Sequence, residues 1–218
     1  MPIDLEQARH AMIQKQVRPW DVLDPRVLET LAAVRREDFV APGYRKLAFA
    51  DLALPLEHGQ SMMKPVVEGR LLQALDLQPH EEVLEVGTGS GFMTACLASL
   101  AREVVSIDIH ADFVERARTR LSALGMTNAR TSHADALEFD PGRRFDAVAV
   151  TGAVTQVPGA FGDWLRPGGR LFVVRGHAPA MEAVVLTRVG EEHWREESLF
   201  ETDLDYLIGA APQPRFVL

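Results

Sequence analysis

The chain has 218 residues, of which 47% are hydrophobic and 25% are charged, a balance typical of a globular protein. Its formal net charge of −8 argues against a nucleic-acid-binding protein, because phosphate recognition requires clustered Lys and Arg side chains. One cysteine, Cys96, excludes a disulfide within the chain, and no stretch is apolar for long enough to span a membrane. The N-terminal residues lack the apolar core of a signal peptide, so we expect a cytoplasmic protein.

Residues 1–79 are predicted to form a helical N-terminal subdomain that carries an active-site loop. Asp4 is a suitable helix-capping residue before an amphipathic segment over 5–17. A second helix begins after Asp24, with a proline in its first turn, and a third covers 66–77. Prolines and glycines interrupt 35–65, which indicates loops and short turns.

Residues 80–218 are predicted to form a second domain, in which short apolar runs alternate with helical patterns. The runs that predict buried strands read EVLEV, EVVSIDI, FDAVAV and RLFVVR. Helices are expected over 90–101, 111–124 and 158–165. Two further runs flank Gly190-Glu191-Glu192 and predict an antiparallel hairpin. The predicted fold is therefore α/β: a doubly wound, Rossmann-like, mostly parallel sheet with a C-terminal antiparallel hairpin and a helical N-terminal subdomain.

The stretch VLEVGTGSGF is the strongest functional motif. A predicted strand over 83–86 leads into a turn with Gly87, Thr88, Gly89 and Gly91, and a helix follows. Glycines allow a ligand to approach the backbone closely, and a helix N-terminus offers free N–H groups. Ligands of open α/β sheets bind at this carboxyl end of the strands. We therefore interpret the turn as a ligand-binding site rather than as a tight turn alone.

The identity of the ligand depends on the neighbouring residues. A dinucleotide fingerprint requires glycine at position 92, where this chain has Phe92. Glu85 would oppose a pyrophosphate but suits an ammonium group, and S-adenosylmethionine has an ammonium group and no phosphate. Asp108, at the end of the next strand, can bind both ribose hydroxyls, and Asp135, after a third strand, can accept from an adenine amino group. The alternative is that these acids are solvated loop or capping residues.

These segments, in this order, resemble the protein-L-isoaspartate O-methyltransferase family of class I methyltransferases. The similar segments read MIQKQVRPWDVLDPRVLETLAAVRREDFV, FADLALPLEHGQS, VLEVGTGSGFMTACLASLAREVVSID and LRPGGRLFVV. The resemblance implies S-adenosyl-L-methionine as the cofactor and methyl esterification of isoaspartyl carboxylates in damaged proteins. The implied partner is an isoaspartyl-containing protein or peptide, in a cytoplasmic repair role. We expect no nucleic-acid, membrane or metal partner, and the histidines show no metal-ligand spacing.

The active-site loop departs from the family pattern. The family loop usually reads G-Q-T-I-S-Q-P, whereas residues 59–65 of this chain read GQSMMKP. By this resemblance Ser61 keeps the first hydroxyl, Met62 is an apolar core residue, and Met63 occupies the place of a second hydroxyl associated with the active site. Ser61 and Met63 are therefore the candidate catalytic positions. A carboxylate acceptor is already ionised at pH 7, so Met63 is expected to slow methyl transfer rather than abolish it.

The C-terminal region departs further, because it contains Glu201, Asp203 and Asp205. These acids would oppose an acidic peptide if they face the acceptor site, and they are neutral to it if they point to solvent. Two alternatives to isoaspartyl methylation therefore stay open. One is a methyltransferase of the same fold with a different acceptor, and the other is a cofactor-binding interaction protein with little activity.

Overall fold

The computed structural model describes residues 4–191 and 193–212, and it contains a seven-stranded mixed sheet with helices on both faces. The helices are α1 (Leu5–Met12), α2 (Pro25–Ala33), α3 (Pro65–Leu75), α4 (Phe92–Leu100), α5 (Ala111–Ala123) and α6 (Gly159–Asp163). The strands are β1 (Leu54–Pro55), β2 (Ser61–Met62), β3 (Glu82–Val86), β4 (Glu103–Asp108), β5 (Ala129–His133), β6 (Phe145–Val154), β7 (Leu165–His177), β8 (Ala180–Arg188) and β9 (Trp194–Thr202).

The order of strands in the large sheet is β5-β4-β3-β6-β7-β8-β9. The first five strands of this order are parallel, and β8 and β9 add an antiparallel end to the sheet. In the sheet, β4 lies on one side of β3 and β6 lies on the other. The glycine turn that follows β3 therefore lies between the ends of β4 and β6. This arrangement confirms the predicted fold class. Of the predicted hairpin turn, Glu192 lies outside the described residues.

Successive side chains of the central strands point to opposite faces, so the sheet separates two hydrophobic clusters. Ala147 and Ala149 of β6 belong to one cluster, and Val148 and Val150 belong to the other. The first cluster also contains side chains from α1, α2 and α3, so the helical N-terminal segment shares its core with the sheet. The division into 1–79 and 80–218 stays a prediction, and its residues 1–3 and 213–218 lie outside the described ranges.

Two predicted helices differ from the observed ones at their ends. The segment expected to be a single helix over 5–17 is α-helical to Met12 and continues as a π-helix over Ile13–Val17. The third helix begins at Pro65 and ends at Leu75, because Asp76 adopts a left-handed conformation with φ of 41°. No helix among the described residues is long and apolar enough to cross a membrane.

Candidate active site

Three glycines of the turn after β3, Gly87, Gly89 and Gly91, have a positive φ. At Gly87 and Gly91, close packing also leaves no room for a side chain. Gly87 has φ of 96°, and a Cβ there would lie 2.3 Å from the Thr151 Oγ1 atom of β6. The Thr151 hydroxyl lies 2.7 Å from the Gly87 carbonyl oxygen and 3.0 Å from that of Val86. Any side chain at position 87 would therefore displace Thr151 and fill the space beside the turn.

Gly91 serves the packing of two helices. It has φ of 84° and caps α4, and a Cβ there would lie 3.0 Å from the Cβ atom of Ala117 on α5. The sequence-based assignment placed Gly91 in the ligand site. The structure instead places it at the contact between α4 and α5, where its role is to let the two helices approach.

A main cavity opens at the carboxyl ends of β3 and β4. The residues that define it are Leu56, Ser61, Gly87, Gly89, Asp108, Asp135 and Leu207. Its empty volume is about 640 Å³, including the part that is open to solvent. Gly87, Gly89, Asp108 and Asp135, which the sequence singled out, thus lie around one cavity.

Asp108 is held in a fixed orientation at the floor of the main cavity. It is the last residue of β4 and is 7% exposed. Its Oδ2 atom accepts from the Gly89 N–H and its Oδ1 atom accepts from the His110 N–H, both at 2.8 Å. Each carboxylate oxygen can accept a second hydrogen bond. The pair of oxygens is therefore suited to two neighbouring hydroxyl groups.

Asp135 also lines the main cavity. Its Oδ1 atom accepts from the Leu137 N–H at 2.9 Å, which makes Asp135 the cap of a short turn. The sequence left open whether Asp135 is a capping residue or a ligand-site residue. In the structure the same side chain caps a turn and lines the main cavity.

The structure does not bring Glu85 to the main cavity, although the sequence suggested a direct ligand contact. The side chain is fully buried beneath α4, where its Oε2 atom accepts from the Thr94 hydroxyl at 2.5 Å. Burial raises the pKa of Glu85 to about 8. The reason for this position is the alternation of β3, which points Glu85 toward α4.

Thr88 is also turned away from the main cavity. It is buried, and its Oγ1 atom lies 2.6 Å from the Ser106 hydroxyl of β4. It contributes instead to an inner cavity on the other side of the glycine turn. The residues that define this inner cavity are Met62, Met63, Glu68, Thr88, Ser90 and Thr151. Both the main and the inner cavity are lined by Leu56, Ser61, Gly87, Gly89 and Thr151.

A third space, the side cavity, lies between the loop after β2 and the segment after β9. The residues that define it are Ser61, Met63, Lys64, Met181, Asp203, Asp205 and Tyr206. Met63 lines the inner and the side cavity and is 4% exposed. Ser61 lines all three cavities, so the two candidate catalytic positions lie where these spaces meet.

Two of the three C-terminal acids face the side cavity. The Asp205 carboxylate accepts a hydrogen bond from the Ser61 hydroxyl. Asp203 forms an ion pair of 2.8 Å with Lys64, whose hydrogen bond lowers the pKa of that acid. Glu201 pairs with Glu182 in the β8–β9 ladder and does not line the cavity.

The segment 56–61, which closes one side of the main cavity, is attached to α5. The Glu57 carboxylate forms an ion pair of 2.6 Å with Arg116, and the His58 Nε2 atom lies 2.9 Å from the Asp112 Oδ1 atom. The His58 ring also stacks on His110, with 4.0 Å between the ring centres. These contacts hold Ser61 beside the glycine turn.

Sequence reasoning missed Thr151, Glu68 and Arg116. Thr151 follows the FDAVAV strand and precedes Gly152, so its place at a strand end could have indicated a site residue. Glu68 and Arg116 lie within helical patterns and carry no such signal. Residues 4–191 and 193–212 contain no group of three or more His, Cys, Asp or Glu side chains placed to hold a metal ion.

Residues 7–196 match the family model described as protein-L-isoaspartate(D-aspartate) O-methyltransferase. The chain belongs to this family. A protein-L-isoaspartate O-methyltransferase of Herpetosiphon aurantiacus is 33% identical over 206 residues, which cover 94% of this chain and 92% of that protein. Protein-L-isoaspartate O-methyltransferase 1 of Anaeromyxobacter sp. strain Fw109-5 is 42% identical over 176 residues, which cover 80% and 83% of the two chains. The resemblance drawn from the sequence is confirmed.

A solved structure shows the same fold at low sequence identity. It is a protein-L-isoaspartate O-methyltransferase of Plasmodium falciparum in complex with S-adenosyl-L-homocysteine. Its TM-score is 0.80 at 18% identity, and the alignment covers 91% of this chain and 97% of that one. The shared fold covers most of both chains, although most of their residues differ.

Proposed function

We propose that this chain is an S-adenosyl-L-methionine-dependent methyltransferase that esterifies the isoaspartyl carboxylate of damaged proteins or peptides. The observation that supports this function, beside family membership, is that Ser61 lines the main, inner and side cavities. Cofactor and acceptor can then enter from different sides and meet at one residue. A cytoplasmic repair role is part of the same proposal.

The residues around the main and inner cavities fit this cofactor. The two fixed oxygens of Asp108 suit the ribose hydroxyls, and the free oxygen of Asp135 suits an adenine amino group. The space that a Cβ at Gly87 would fill allows close approach to the turn. We assign the adenosine part to the main cavity and the methionine part to the inner cavity. Glu85, which faces Thr94, supports the turn from below.

The protein has little chemistry to perform on the acceptor itself. The bound cofactor would supply a methyl group on a sulfonium centre. A carboxylate oxygen can attack that methyl carbon directly, because the carbon–sulfur bond breaks as the ester forms and the neutral thioether S-adenosylhomocysteine leaves. An isoaspartyl carboxylate is ionised at pH 7, so no side chain has to remove a proton. The task of the chain is to orient the acceptor and to exclude water, which buried Met62 and Met63 and the segment 56–61 do.

Ser61 and Lys64 are the polar groups of the side cavity that can attract an acceptor carboxylate. The Ser61 hydroxyl has a single proton, which it donates to Asp205. It must therefore leave Asp205 in order to donate to an acceptor. Lys64 is partly neutralised by Asp203. Both groups are thus weakened by the acids that distinguish this chain from its family pattern.

The test is methyl transfer to an isoaspartyl peptide and to its aspartyl twin, measured as initial rates of labelled methyl incorporation. We expect transfer to the isoaspartyl peptide only. Equal transfer to both peptides would contradict isoaspartyl selectivity. Cofactor binding without transfer to either peptide would contradict the proposed acceptor.

A methyltransferase of the same fold with a different acceptor is the second candidate. The observation that favours it is the pair of carboxylates, Asp203 and Asp205, on the wall of the side cavity. A neutral or cationic acceptor would meet attraction rather than repulsion there. Methylation of a lysine- or arginine-rich peptide that lacks isoaspartate, at a rate above that for the isoaspartyl peptide, would favour this candidate.

A further inference from the structure

Glu68 is a buried acid of α3, and only one of its two carboxylate oxygens has a hydrogen-bond donor. It lines the inner cavity and is 1% exposed. Its Oε2 atom accepts from the Arg36 guanidinium, whose other nitrogens donate to the carbonyl oxygens of Ala48 and Met63 at 2.8 Å. Its Oε1 atom is buried and meets no donor among the described residues. A buried acceptor without a donor is destabilising, so a donor from a ligand would be favourable there.

The surrounding charges favour a cationic donor. Arg36 is the cation that contacts Glu68, and the negative charge of Asp51 opposes ionisation of Glu68. Burial raises the pKa of Glu68 to about 7, although Arg36 opposes this shift. A second positive group at the inner cavity would stabilise the ionised carboxylate and balance the charges of the cluster.

We infer that Glu68 binds the α-ammonium group of the cofactor's methionine part. The inference rests on the proposed function, because that function assigns the methionine part to the inner cavity. S-adenosylmethionine and its product S-adenosylhomocysteine both carry this ammonium group. Glu68 thus takes the role that the sequence suggested for Glu85.

The position of the two acids decides between them. Both have an unmatched buried Oε1 atom. Glu85 faces α4 and accepts from Thr94, and it lines neither the main nor the inner cavity. Glu68 lines the inner cavity together with Thr88 and Ser90 of the glycine turn. A ligand group in that cavity can therefore reach Glu68 without moving a helix.

The experiment is titration calorimetry with S-adenosylhomocysteine and with its des-amino analogue, which lacks only the ammonium group. The proteins are the parent chain, Glu68→Gln and Glu85→Gln. The matched control is Glu37→Gln, since Glu37 is equally buried, pairs with Arg9 and has an unmatched oxygen, but lines none of the three cavities.

In Glu68→Gln, affinity for S-adenosylhomocysteine should fall about ten- to a hundred-fold, as expected for a lost hydrogen bond between charged groups. Affinity for the des-amino analogue should change little, which also shows that the variant keeps its fold. Glu37→Gln should bind both ligands like the parent. Any loss in Glu85→Gln should be equal for the two ligands, because Glu85 supports the glycine turn and does not reach the ammonium group.

Several results would overturn the inference. One is unchanged binding of S-adenosylhomocysteine by Glu68→Gln. Another is a loss of affinity for S-adenosylhomocysteine, but not for the des-amino analogue, that appears in Glu85→Gln instead. A parent chain that binds both ligands equally would also overturn the inference, and this result needs no variant to fold. A parent chain that binds no S-adenosylhomocysteine would contradict the proposed function itself.

Discussion

The Ser61 hydroxyl donates a hydrogen bond to the Asp205 carboxylate, although the two residues are 144 positions apart in the chain. The bond connects the active-site loop to the segment after β9 and closes the side cavity between them. It also places a negative charge at the position where the proposed acceptor carboxylate must approach. This contact is therefore the first to test.

Asp205→Asn should raise the rate of methyl transfer to an isoaspartyl peptide. The amide removes the charge that repels the acceptor and weakens the competition for the Ser61 proton. An exposed charge interaction is worth up to about 1 kcal/mol, so we expect a gain of roughly two- to five-fold, smaller at high salt. The measurement is the initial rate at saturating cofactor and low peptide concentration. Glu201→Gln is the control, because Glu201 does not line the side cavity. An equal gain in the control would show a general effect of net charge.

Met63→Ser should raise methyl transfer by on the order of ten-fold, because the hydroxyl can donate to the acceptor carboxylate, and such a bond is worth about 1.5–3 kcal/mol. The same change should lower the free energy of unfolding by about 2–5 kcal/mol, since Met63 is a buried core residue. Rates must therefore be compared per folded molecule.

Met62→Ser is the matched control for Met63→Ser. Met62 is equally buried and lines the inner cavity but not the side cavity. It should lose similar stability and gain no rate. A Met63→Ser variant that is no faster than an active parent would show that Met63 only packs the core.

Asp108→Ala should weaken binding of S-adenosylmethionine by roughly 5- to 150-fold, since a lost hydrogen bond to a carboxylate costs about 1–3 kcal/mol. The same carboxylate accepts from the N–H groups of Gly89 and His110, so part of the loss comes from the glycine turn. Glu115→Ala on the neighbouring helix is a control for charge, because Glu115 lines none of the three cavities, and titration calorimetry measures both. An unchanged dissociation constant in Asp108→Ala would remove the ribose assignment.

The stability of the protein should fall as pH rises from about 4.5 to about 8. Burial raises the pKa of Glu85 from 4.5 to about 8, so within this window the folded state binds more protons than the unfolded state. The contribution is fully present below pH 4.5 and is lost as pH rises through the folded pKa. Urea unfolding at several pH values should show that Glu85→Gln reduces this slope. The part that remains below about pH 7 belongs to Glu68, whose pKa burial raises to about 7.

Glu82→Gln is the control for the pH experiment, because Glu82 lies on the same strand and has the opposite shift. The hydrogen bond from Arg166 lowers its pKa, so its contribution is present above pH 4.5 and is lost on acidification. The variant should therefore keep the slope of the parent between pH 4.5 and 8. A parent whose stability is constant across that range would contradict the burial of an uncharged Glu85.

The sequence alone determined the fold class, the order of elements and the glycine turn, because these depend on local patterns. Alternating strands and helices, prolines in first turns and glycines at left-handed positions are properties of neighbouring residues. Asp108 and Asp135 were found for the same reason, since each follows a strand and parallel strands end at one edge of the sheet.

Only the tertiary structure decided which acids face the cavities. Glu85 lies in the motif but points beneath α4, whereas Glu68 sits within an ordinary helical pattern and reaches the inner cavity. Asp205 meets Ser61 across 144 positions, and Gly91 meets Ala117 on another helix. Strand alternation fixes which residues share a face, but which helix covers that face and which distant segments approach it depend on how the helices pack on the sheet, which no local pattern of residues encodes.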